Sequence, residues 1–211
     1  MSARTEILDR LRSALRDKPA VPEIPRSYRG ESGMGVQERI DMLVDRLVDY
    51  KAGVTVVEPD GLAPRIAELL AGAQSYVVPA GIDSAWLAAA EAAAPGRRRT
   101  DSADAPLTVP ELDAVDAVVT GSAVSVAETG TIILDGSPNQ GRRAITLVPD
   151  HHICVVHQDD VAGILPEALR RLDGTRPLTW ISGPSATSDI ELERVEGVHG
   201  PRNLDVIIVR S

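Results

Sequence analysis

Apolar residues recur along this chain in two alternating rhythms. Between Thr5 and Asp17 they fall at Ile7, Leu8, Leu11 and Leu15, one stripe of a helix whose other faces carry Arg and Asp. A second helix is predicted from Val36 to Lys51, with Val36, Ile40, Leu43, Val44, Leu47 and Val48 at helical spacing and Gly53 closing it. From there short β-branched runs alternate with helical ones. Val54 to Val57 reads as a strand, Leu62 to Leu70 as a helix, Tyr76 to Val78 as a strand and Ser84 to Ala94 as an Ala-rich helix able to lie close to a sheet. Val115 to Val119, Thr131 to Leu134, Ile153 to Val156, Leu178 to Ile181 and Val206 to Val209 extend the set of strands. Thr100 to Val109, polar and interrupted by Pro106, reads as an irregular connection. Asp159 is placed to cap a helix from Val161 to Leu172, with Pro166 near its first turn. This alternation predicts an α/β fold: a Rossmann-like parallel sheet flanked on both faces by helices.

The helical pattern is broken once, by Pro19, Pro22, Pro25, Gly30 and Gly33. The chain therefore divides into an N-terminal helix with a Pro-rich linker, residues 1–34, and an α/β domain, residues 35–211. The first helix needs a surface to lie on, in its own domain or on a neighbouring subunit.

Composition narrows the picture. With no Phe, three Tyr and two Trp among 211 residues, the core must be aliphatic. A net charge of −9 opposes nucleic acid, and the one basic run, Arg97-Arg98-Arg99 after Pro95-Gly96, reads as a solvated loop. No segment resembles a signal peptide and none approaches the roughly 20 apolar residues of a membrane span, so a cytoplasmic location is expected. The lone Cys154 can form no internal disulfide and hold no iron-sulfur cluster by itself.

Candidate chemistry gathers in three Gly-rich polar segments of the C-terminal half. The first runs from Gly121 to Thr131, opened by Val119-Thr120 at a strand end, where open α/β sheets bind ligands. In it Glu128 offers a carboxylate as nucleophile, base or hydrogen-bond acceptor beside Thr129, Gly130 and Thr131; alternatively it caps a short helix and Thr129-Gly130 makes a turn. The second, Gly183-Pro184-Ser185-Ala186-Thr187-Ser188-Asp189-Ile190-Glu191, has the hydroxyls and backbone N–H groups of an anion site, with Gly183, Ser185 and Thr187 as contacts. Asp189 opposes an anion there unless it pairs with Arg or caps the helix. The third, Gly197-Val198-His199-Gly200-Pro201-Arg202, offers His199 for proton exchange, Gly200 for close approach and Arg202 to neutralise a carboxylate; a loop His is also an ordinary turn residue. Arg142-Arg143, after Asn139-Gln140-Gly141, is a further anion candidate, with Arg142 named first, or a surface ion pair. A metal site from His151, His152, Cys154 and His157 is disfavoured, because an extended strand points His152 and Cys154 to one face and His157 to the other. The sequence has no dinucleotide Gly fingerprint, Walker A loop or Ser nucleophile elbow.

Ala127-Glu128-Thr129-Gly130-Thr131, the Gly183 to Glu191 segment and Gly197-Val198-His199-Gly200-Pro201, in this order, resemble the lactate utilization protein C family, the LUD-domain proteins. Gly141-Arg142-Arg143 and Leu147-Val148-Pro149-Asp150-His151-His152 belong to the same match, which runs from about Val115 to Val209. The resemblance implies a fold similar to the sugar-phosphate isomerase and CoA-transferase group and a part in oxidising L-lactate to pyruvate. It implies no cofactor in this chain and iron-sulfur clusters in partner proteins. Three roles stay open: a non-redox subunit binding a small carboxylate, a stand-alone acyl-transfer or isomerase-type enzyme using Glu128, and a purely structural assembly module.

Overall fold

In a computed structural model, the β-branched runs assemble into a sheet whose two faces bury different partners. The structure describes residues 2–17, 23–184, 186–187, 195–196 and 200–211. Six strands, β1 (Gly53–Val57), β2 (Tyr76–Pro79), β3 (Arg98–Asp101), β4 (Ala117–Thr120), β7 (His151–His157) and β12 (Asn203–Val209), form a wholly parallel sheet in the order β1-β12-β7-β4-β2-β3. Three strands form a second, mixed sheet with a fourth from further along the chain: β5 (Val124–Val126), β6 (Thr131–Leu134), β8 (Val161–Ala162) and β9 (Thr179–Ile181), in the order β8-β5-β6-β9. A two-stranded ribbon pairs β10 (Ala186–Thr187) with β11 (Val195–Glu196).

Alternation along β7 shows how the layers are divided. Ile153 and Val155 pack with Leu62, Ile66, Leu87 and Ala90, from helices α3 (Leu62–Leu69) and α4 (Ser84–Ala93). Cys154 and Val156, pointing the other way, pack with Ile40, Leu43 and Leu47 of helix α2 (Val36–Asp49) and with Ile132 and Leu134 of the second sheet. Farther along that face, helix α5 (Val109–Asp113) closes a smaller core of Leu112, Val118 and Ile145. Helix α6 (Leu165–Leu169) covers the outer side of the second sheet through Ala168.

Helix α1 (Ala3–Ala14) buries no residue, and Ile7, Leu11 and Leu15 of its apolar stripe are more than half exposed. The end of the Pro-rich linker is attached to the domain. Glu167 receives the N–H groups of Ser32, Gly163 and Ile164 on one carboxylate, and Arg170 donates to the Gly30 carbonyl.

The parallel sheet meets expectation; four local readings are corrected. One face is covered mainly by a second sheet, because the short apolar runs at β5, β6 and β9 pair with one another instead of joining the large sheet. The segment from Gly121 to Thr131 is therefore a strand and a turn, with β5 inside it. Val161 to Leu172 is not one helix: Val161 and Ala162 pair with Ser125 and Val126, and α6 begins only at Leu165, with Pro166 in its first turn. Residues 98–101 are an edge strand, with Arg98 on Glu91 and Arg97 donating to the carbonyls of Leu70 and Ala73, so local partners account for two of the three arginines.

Candidate functional site

The loop of residues 135–141, after β6, determines where a ligand has room. Its Pro138 and Asn139 carbonyls accept the N–H groups of Gly81 and Gly121, at the carboxyl ends of β2 and β4. The crevice expected beside Thr120-Gly121 is thereby covered by backbone. Space opens on either side of the 3-10 turn at Arg143–Thr146. A chamber of about 790 Å3 lies over the ends of β2 and β3, and one of about 220 Å3 lies between the two sheets; Arg143 and Thr146 line both.

The smaller chamber holds about as much space as seven liquid waters, enough for an acid of a few carbons. His152 and Leu204, register partners on β7 and β12, line it together with Trp180, Ser182, Gly183 and Gly200. Parts of the second and third Gly-rich segments thus meet at one place, on the sheet face near the amino ends of β7 and β12. Gly183 has φ +88°, and a Cβ there would stand 2.6 Å from that of Tyr50, so the wall can pass this close to α2 only without a side chain.

His152 is 1% exposed, and its Nε2 lies 2.8 Å from the Thr120 hydroxyl. Burial, then the neighbouring His151 and Arg143, lowers its pKa to about 3, so it is an uncharged imidazole at neutral pH. Nδ1 has no hydrogen-bond partner among the described residues, and the ring lines the chamber. Arg143 is exposed and has no ion pair or side-chain hydrogen bond among the described residues. Among the described residues the chamber therefore presents a cation without an ion pair and a neutral imidazole. The other arginines of the larger chamber are committed: Arg142 is held bidentate by Asp101 and also donates to the Leu107 carbonyl, and Arg176 pairs with Asp135, so Arg143, shared by both chambers, is the one of the three without an ion pair among the described residues.

The residues singled out in the sequence separate into groups. Gly183 and Gly200 line the chamber. Arg142 lines the larger one but has its guanidinium committed to Asp101; the free cation is its neighbour Arg143. Arg202 turns to Asp150 at 3.4 Å. Glu128 lies outside both chambers: its carboxylate meets Arg29 at 2.6 Å, its N–H donates to Gly163 and its carbonyl accepts from Arg46. Gly130, with φ +59°, brings this turn against Arg46 of α2. Thr129 and Thr131 join their hydroxyls at 2.8 Å, and Thr131 reaches Ser182 at 2.9 Å, a hydroxyl chain from the Glu128 turn to the chamber wall. Thr187 lies in β10, its side chain not described, and Ser185, Asp189 and His199 fall outside the described residues.

His152 and Thr146 were not candidates for a small-molecule site. Their signal was present in part: a His in an otherwise apolar strand is costly to bury unless it is hydrogen-bonded. Cys154, on the same face, is fully buried, and burial pushes its thiol up to about 12 against the hydrogen bond of Thr120. Among the described residues no three His, Cys, Asp or Glu side chains converge as metal ligands.

The LUD domain matches residues 49–209, spanning both sheets and the chamber. The chain belongs to the LUD-domain family. Lactate utilization protein C of Deinococcus radiodurans is 45% identical to this LUD-domain chain over 192 residues, 89% of this chain and 87% of that one. Proteins of the same name from Shouchella clausii and Bacillus licheniformis are 31% and 32% identical, over about half of this chain and 50% and 42% of their own lengths. A crystal structure of a DUF162 family protein from Deinococcus radiodurans superposes with a TM-score of 0.69 at 40% identity, covering 83% of this chain and 99% of that one. No helix among the described residues is long and apolar enough to cross a membrane.

Proposed function

We propose that this LUD-domain chain takes part in lactate utilization as a non-redox subunit that binds a small carboxylate in the 220 Å3 chamber, alongside partner proteins that carry iron-sulfur clusters. The observation that carries the reading is Arg143, without an ion pair among the described residues, lining a chamber together with the neutral, buried His152. A carboxylate neutralises the first and gains a bidentate, charge-assisted pair, while the second adds no competing charge. The names of the relatives supply the metabolic setting. Acyl transfer through Glu128 is disfavoured, since its carboxylate is spent on Arg29 and faces neither chamber.

Titration of the purified protein with propionate, pyruvate and L-lactate, followed by calorimetry or by the fluorescence of Trp180 on the chamber wall, tests this. Saturable binding that falls at least ten-fold in Arg143→Ala and is unchanged in Glu128→Gln is the expected result. Binding of none of the three acids, or binding indifferent to Arg143→Ala, overturns it and leaves the assembly role.

A further inference from the structure

The larger chamber, over the carboxyl ends of β2 and β3, contains a buried donor that the fold does not use. Gln140 is 2% exposed and lines this chamber, and its Oε1 accepts the Asp135 N–H at 2.6 Å. That contact fixes which end of the amide is oxygen, because the flipped amide would set two N–H groups against each other. Nε2 has no hydrogen-bond partner among the described residues. Buried polar groups are paired as a rule, and an exception on a cavity wall points to a partner that enters from the cavity.

The walls around this donor are held in place. Gln140 and Gly141 both donate their backbone N–H groups to the Ser137 carbonyl, at 2.8 and 3.0 Å, while Asp101 fixes Arg142 and Asp135 fixes Arg176. Pro79, Pro106, Pro138, Pro177 and Leu134 supply apolar surface, and the prolines add no N–H donor. The volume, about 790 Å3, lies within the roughly 300–1,000 Å3 of sites for drug-sized ligands, and the carboxyl ends of strands are where open α/β sheets bind them. A three-carbon acid leaves most of this space unfilled. A sugar phosphate would lose the hydration of its hydroxyls against walls that cannot replace it. Arg143 brings a cation without an ion pair among the described residues.

We infer that the larger chamber is a second ligand site, separate from the smaller one, for an organic anion with an apolar, ring-containing body. The anionic group pairs with Arg143, an acceptor oxygen elsewhere in the ligand takes the Gln140 Nε2 proton, and the body lies along Pro79, Leu134 and Pro177. Because the loop and both committed arginines are already tied down, little ordering is left for binding to impose. Gln140 is here a binding group; no bond is made or broken.

The probe is 7-diethylaminocoumarin-3-carboxylate, which joins a carboxylate and a lactone carbonyl to an apolar fluorescent body, titrated into the full chain. One saturable site is expected. Ala103→Trp, which fills the chamber from an exposed position, is expected to weaken binding about ten-fold or more, as is Arg143→Ala. Gln140→Glu keeps an acceptor for the Asp135 N–H and removes the donor, and is expected to weaken binding about five-fold. The same coumarin without its carboxylate is expected to bind about ten-fold more weakly to the unmutated protein. Absence of saturable binding, or binding indifferent to Ala103→Trp or to Gln140→Glu, overturns the inference. Should Gln140→Glu not fold, Ala103→Trp and the neutral coumarin decide. Ala103 does not line the smaller chamber, so propionate titration reports on that site separately: failure of propionate to bind overturns the carboxylate reading and leaves this inference standing.

Discussion

The buried imidazole and thiol on one face of β7 have opposite electrostatic signatures with a common cause. Burial disfavours whichever form is charged, which lowers the pKa of His152 to about 3 and raises that of Cys154 to about 12. For His152 the unfolded chain takes up a proton below about pH 6.5 and the folded chain does not. Its contribution is therefore complete above that pH and is lost as pH falls toward 3, at about 1.4 kcal/mol per pH unit. Denaturant melts at pH 6 and pH 5 should show this slope in the unmutated protein and a shallower one in His152→Gln. Cys154 should resist iodoacetamide in the native state and react fully once denatured; prompt alkylation of the folded protein would mean that the strand opens.

Among elements, the Pro-rich linker is attached through Glu167 at Ser32, Arg170 at the Gly30 carbonyl and Glu128 at Arg29. Burial alone would raise the Glu167 pKa, but hydrogen bonds from the Ser32 backbone and side chain, Gly163 and Ile164 outweigh it and hold the group at about 2. This stabilisation is complete above the unfolded value of about 4.5 and fades as pH falls from there toward 2. Glu167→Gln should cost about 2 kcal/mol and speed amide exchange at Ser32, without changing carboxylate affinity. The Arg29–Glu128 pair, more exposed on both sides, should contribute less than about 1 kcal/mol. The helices α2, α3 and α4 were legible because their apolar periodicity persists for eight residues or more. β3 was not, since its Arg98, Arg99 and Thr100 are exposed at a sheet edge and carry no apolar signal.

For the molecule as a whole, the proposed site assigns folding and binding to two adjacent arginines. Asp101 is 5% exposed and depends on Arg142 for its charge partner, so Arg142→Ala leaves a buried carboxylate uncompensated. A loss of about 2–3 kcal/mol is expected from Arg142→Ala, read by thermal melts. Arg143→Ala should melt within about 0.5 kcal/mol of the unmutated protein while losing the ligand. If both variants melt alike, the division between structural and binding arginine is wrong.

The sequence by itself determined the parallel α/β class, the family and two of the Gly-rich segments that reach the chamber, because periodicity and short Gly-rich motifs are local properties of the chain. It could not say which of Arg142 and Arg143 is free, since that depends on Asp101, forty-one residues away from Arg142 and brought to it only by the order of the sheet. Nor could it turn Glu128 toward Arg29 or set the buried His152 in the wall of a chamber. Those outcomes depend on a second sheet that stacks on the first and on a loop that covers the carboxyl ends of β2 and β4. Both are long-range pairings of backbone groups that must be satisfied once buried, and no single segment specifies its partner.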